Sequence, residues 1–144
     1  MIFTKKITSL EKLTLSLSGM RAAYEYEIVT SGDKATVARY GYGYSANDHN
    51  RAPEASVVLN TAEVIKTLNG FGVYKWDGFN GKRPRGLLDG TDFTLRAAVN
   101  GGKEIWACGS QNFPRGFHDL RSWFYEALKG ADRLDNKRGD NSNN

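Results

Sequence analysis

The sequence predicts an α+β fold: a largely antiparallel five- to six-stranded sheet with two helices packed on one face. Three observations predict it. Apolar and polar residues alternate in three separate stretches, as strands with one buried face require. Two other stretches space their apolar residues as helices do. Between them lie turns rich in glycine, asparagine and aspartate, set where hairpins need them.

Taken in order, Leu13, Leu15 and Leu17 alternate with Thr14, Ser16 and Ser18, a strand that Gly19 ends. Tyr24, Tyr26 and Ile28 alternate with Glu25 and Glu27, a second strand with an acidic solvent face. Ser31-Gly32-Asp33-Lys34 is a turn and Ala35 to Tyr44 a third strand, so the three form an antiparallel meander. A polar loop over residues 45–54 leads to a short strand, Val57-Val58-Leu59. Asn60 then caps a helix, its side chain accepting from the orphan amides while Glu63 reaches back. Ile65 and Leu68 continue that helix, and Asn69-Gly70 is its expected stop.

Phe93, Leu95, Ala97 and Val99 alternate with Thr94, Arg96 and Ala98. Asn100-Gly101-Gly102 tolerates the positive φ of a hairpin turn, and Lys103 to Cys108 returns as the partner strand. The last helix starts near Pro114, buries Phe117, Leu120, Phe124, Ala127 and Leu128, and ends at Gly130. Residues 1–130 thus read as one domain. Residues 131–144 hold one branched apolar residue, Leu134, and predict a disordered polar tail. Trp76, Trp106 and Phe117 are the expected aromatic core, with Trp106 out of phase with Ile105 and Ala107.

The chain of 144 residues is long enough to bury a core without metal or disulfide support. No apolar run approaches the roughly 20 residues of a membrane span, and the N-terminus lacks signal-peptide regions. Cys108 is alone, which fits a reducing compartment, so a cytoplasmic protein with no membrane partner is expected. The net charge is +4, and the second half of the chain carries three more basic than acidic side chains. Lys82, Arg83 and Arg85 alone match that excess.

Catalytic grammar is sparse. Asp77, Asp89 and Asp92 have the chemistry of metal ligands or an acid/base pair, but Asp77 and Asp89 precede glycines, as turn residues do. His49 and His118 have no serine or cysteine partner in sequence, and Cys108 beside Trp106 reads as a small buried hydrophobe. No phosphate-binding glycine loop is present. No catalytic residue, metal or cofactor is therefore expected.

Two stretches stand out as binding candidates. In Arg39-Tyr40-Gly41-Tyr42-Gly43-Tyr44, a strand would put all three tyrosines on one face and the glycines on the other. That face suits sheet packing, a protein interface or base stacking alike. Lys82-Arg83-Pro84-Arg85 is a basic loop, too short for more than weak phosphate binding and equally suited to an acidic protein.

The motifs Trp76-Asp77-Gly78-Phe79, Leu88-Asp89-Gly90, Phe93-x-Leu95, Gly109-Ser110, Pro114 and Phe117 resemble an uncharacterised bacterial domain of gut Firmicutes. That domain carries a W-D-G-F segment, an L-D-G turn, a hairpin and a G-S-x-x-x-P-x-x-F helix start. The resemblance spans residues 71–128 and implies a shared fold, with no catalytic residues to carry over. The basic loop and the tyrosine run lie outside its pattern, which points to them for a function particular to this chain.

The functional expectation is a non-enzymatic protein-binding module contacting a protein partner through Arg39, Tyr40, Tyr42, Tyr44, Lys82, Arg83 and Arg85. Its size suits an accessory protein of a phage or mobile element that inhibits a bacterial defence system. The alternative is a nucleic-acid binder using the same loop and strand. A small hydrolase-like enzyme is third.

Overall fold

The computed structural model describes residues 6–19, 23–41, 52–82 and 91–141, with 130–141 described by backbone alone. The fold is α+β, with a mostly antiparallel sheet and two helices. Strands β1 (Leu10–Ser18), β2 (Ala23–Ser31), β3 (Lys34–Gly41) and β4 (Ala55–Asn60) come first, then helix α1 (Thr61–Phe71). A 3₁₀ turn (Val73–Trp76) and β5 (Asn80–Gly81) lead to β6 (Asp92–Val99), β7 (Lys103–Ser110) and helix α2 (Phe117–Asn141). The sheet order is β4-β3-β2-β1-β6-β7-β5, seven strands rather than five or six. The extra strand is β5, a two-residue piece pairing parallel with β7, too short to show any period in sequence.

The alternation seen in sequence becomes one buried face. Leu13, Leu15 and Leu17 face Ile28, Tyr26 and Tyr24 on β2 and Ala97, Leu95 and Phe93 on β6. Opposed residues share a face, so these rows and Val37, Ala35, Ala107 and Ile105 line one side. All of these except Tyr24 are buried, and Val64, Leu68, Phe117, Leu120, Phe124 and Leu128 from the helices join the same cluster. Tyr26 stacks on Phe124 with centroids 4.5 Å apart, and Phe93 meets Phe117 at 4.6 Å.

The helix boundaries move for local reasons. Asn60 caps α1 as expected, accepting from the Glu63 amide at 3.1 Å. The helix runs past Asn69-Gly70 to Gly72, whose φ of 82° makes it the left-handed cap. Asn69 is otherwise engaged: its Oδ1 accepts from Ile7 N at 2.8 Å and its Nδ2 donates to Ile7 O at 2.9 Å. Helix α2 begins at Phe117 rather than Pro114, because Gly116 (φ 92°) turns the chain under the Phe71 carbonyl. It also continues past Gly130, the expected stop, through the backbone of the predicted tail.

Candidate binding face of the sheet

The second face of the sheet is set by the same registers. One row across it runs Ser56, Ala38, Glu27, Thr14, Arg96 and Trp106, from β4 to β7. The next row toward the β1–β2 turn runs Tyr40, Glu25, Ser16, Thr94, Cys108 and Asn80. On the opposite flank lie Val58, Thr36, Val29, Lys12, Ala98 and Glu104. The middle of the face mixes short hydroxyl side chains, Thr14, Ser16 and Thr94, with the charged Lys12, Glu25, Glu27 and Arg96, and aromatic groups stand toward its margins. A shallow depression of about 460 Å³ opens between Lys12, Thr14, Arg96, Ala98 and Glu104.

Trp106 is 38% exposed on this face and not in the core, whereas Trp76 and Phe117 are buried as expected. The alternation that puts Ile105 and Ala107 inward forces Trp106 outward. Its backbone is pinned by the Trp76-Asp77-Gly78 turn: Asp77 Oδ1 accepts from Trp106 N at 3.0 Å, and Gly78 N donates to Trp106 O at 2.8 Å. Asp77 Oδ2 accepts from Lys103 Nζ at 2.8 Å. That lysine, then the Trp106 amide, holds the Asp77 carboxyl below its usual range. The Trp76 indole donates to Arg115 O at 3.0 Å and ties the same turn to the start of α2. Asp77 is thus a structural tie. Cys108 also faces this side, half-buried, beside Asn80; it is not the enclosed hydrophobe that its neighbours in sequence suggested.

The other candidates fall in several places. Tyr40 lies opposite Glu25 on the open face, but Arg39 lies opposite Tyr26 on the core side. Arg39 Nε donates to Glu54 Oε2 at 3.1 Å. Strand alternation therefore splits that pair. Lys82 follows β5 at the far edge, five strand steps from β3, about 24 Å at a roughly 4.8 Å spacing. Strands β3 and β5 finish at the same end of the sheet as β1 and β7. Tyr42, Tyr44, Arg83, Arg85, Asp89 and His49 lie outside the described residues. Asp92 pairs with Ser110, four residues along β7 from Trp106, so Asp77 and Asp92 sit about 13 Å apart along the strand. His118 packs edge-on against Phe113 and Phe117. Among the described residues no three His, Cys, Asp or Glu side chains converge on a metal-sized site, and no helix is long and apolar enough to cross a membrane.

The open face carries charges of both signs. Glu25 and Glu27 sit mid-sheet, Glu25 accepting from Ser16 Oγ at 3.1 Å and Glu27 lying 3.7 Å from Lys12. Sequence reasoning passed over Arg96, Trp106 and Val29 as a surface group. The signal was there in the strand phase, once the register joined β1 to β6 rather than to β7. The chain matches no family model, and comparison with curated proteins and with solved structures returns no match.

Proposed function

We propose that this chain is a protein-binding module whose partner lies against the open face of the sheet. One observation carries the reading. Of the four exposed large hydrophobic side chains among the described residues, three, Val29, Val58 and Trp106, are on this face. Tyr40 shares it. Tryptophan, tyrosine and arginine are the side chains that most often dominate protein interfaces, and here Trp106 stands directly beside Arg96. The reading takes both helices to lie over the other face, supported by the single cluster their apolar residues share with it.

A protein suits the surface better than a nucleic acid does. The face carries Lys12 and Arg96 alongside Glu25, Glu27 and Glu104, a mixture of signs without the basic excess that a phosphate backbone attracts. Six strands at roughly 4.8 Å and rows about 20 Å deep give an area of the order one partner contributes to a standard interface. A module of this kind acts by occluding its partner's surface, the mode expected of an accessory protein that inhibits a bacterial defence system.

Affinity capture from nuclease-treated bacterial lysate tests the reading with two variants. Thr14→Arg plants a long side chain in the middle of the face, where Thr14 is half-buried between Glu27 and Arg96. Lys82→Ala alters the far edge. Capture of a protein that survives nuclease, is lost with Thr14→Arg and persists with Lys82→Ala supports the proposal. Capture that vanishes with nuclease, or ignores Thr14→Arg, overturns it.

A further inference from the structure

We infer that β4 is a self-association edge, along which a second copy of this chain pairs antiparallel with the first about a two-fold axis normal to the sheet. The two edges of the sheet are finished differently. At the β7 edge, Trp106 and Cys108 are capped by the Asp77 carboxylate, the Gly78 amide and the Phe79 carbonyl. Strand β5 then covers Cys108 and Gly109. At the other edge, β4 pairs with β3 alone among the described residues. Its six residues, Ala55-Ser56-Val57-Val58-Leu59-Asn60, contain no charge and no proline, two common devices by which edge strands are blunted. Val58 on that strand is 58% exposed, the largest value among the exposed large hydrophobics.

The sequence of β4 is complementary to itself. With the axis at Val58, that residue meets its own copy on the open face, while Val57 meets Leu59 on the core side. Ser56 then meets Asn60. A two-fold normal to the sheet preserves both faces, so each of these pairs joins residues of the same side. No like charges oppose each other anywhere along the strand. An extended peptide from a different protein would find no charged group on β4 to select its sequence, whereas a second copy brings the matching register. The resulting sheet would have twice seven strands, with both open faces on the same side.

Sedimentation equilibrium on the full chain tests this from about 1 µM to about 500 µM, the range in which a small strand interface associates. The wild type is expected to shift from monomer to dimer across the range. Val58→Lys and Val58→Glu each place like charges together at the axis and should weaken association about tenfold or more. Mixing the two variants pairs lysine with glutamate and should restore the dimer, which a merely misfolded variant could not do. Thr36→Lys, one strand inward in the same exposed row, should leave association unchanged. A wild type that stays monomeric throughout, a dimer indifferent to both Val58 variants, or equal dissociation by Thr36→Lys overturns the inference.

Discussion

Replacing Asn69 by alanine should loosen the start of the domain by an amount the hydrogen bonds fix in advance. The Asn69 amide satisfies both backbone groups of Ile7, N–H at 2.8 Å and C=O at 2.9 Å, and Ile7 is only 1% exposed. Asn100 holds the neighbouring residues from the other side. Its Oδ1 accepts from Thr8 N, Thr8 Oγ1 and Ser9 N, and its Nδ2 donates to Lys6 O. Each bond to Ile7 contributes about 1 kcal/mol net, and a partly buried group left unpaired costs more, so Asn69→Ala should destabilise by about 2–3 kcal/mol. Asn69→Asp keeps the acceptor and loses the donor, which should leave the Ile7 amide bonded and its carbonyl facing a carboxylate. Urea titration at unchanged m-value measures the loss, and amide exchange at Ile7 locates it. A midpoint within error of wild type, or an Ile7 amide that stays protected in Asn69→Ala, would refute the reasoning.

Two tryptophans should part company: Trp76→Ala removes a side chain 3% exposed and its bond to Arg115, costing about 3–5 kcal/mol. Trp106→Ala, at 38% exposed, should cost nearer 1 kcal/mol, so equal shifts in denaturation midpoint would count against the open face. Gly109→Ala drives a methyl group into the Asn112 carbonyl and the Phe93 ring, an overlap worth about 1–3 kcal/mol, which thermal unfolding would detect. Asp77 has a folded pKa below its unfolded value of 3.8. Its contribution is therefore full above that value and lost as pH falls through the folded pKa. The stability gap between wild type and Asp77→Asn should be flat near neutrality and close in acid, and a gap that widens in acid would contradict the assignment. The gap itself should be small, because solvent screens the exposed pair.

Strands with one buried face were legible in sequence because their period of two is physical: Leu13, Leu15 and Leu17 are inward and Thr14 and Ser16 outward. The Asn60 cap and the Asn100-Gly101-Gly102 turn, with φ of 54°, 70° and 151°, were equally readable. What escaped depended on partners distant in sequence. Asn69 looked like a helix stop because asparagine tolerates that geometry, but its amide is recruited by Ile7, 62 residues away. Strand β5 pairs where Gly81 and Gly109, lacking side chains, leave room for the Asn112 backbone. The candidate face was half legible. Tyr40 was singled out by composition, while Arg96 and Trp106 needed the register between β1, β6 and β7. Arg39 and Tyr40 face opposite sides because neighbours in sequence alternate across a sheet.

The most direct measurement is the affinity of the captured protein for wild type and for Trp106→Ala, read by titration calorimetry across a range of salt. An anchor tryptophan contributes about 2 kcal/mol or more, so the variant should bind roughly thirtyfold more weakly while keeping its thermal midpoint within a few degrees. Affinity should fall only gently with salt. A Trp106→Ala variant that binds as tightly as wild type, or an oligonucleotide that displaces the partner with a steep salt dependence, would contradict the account.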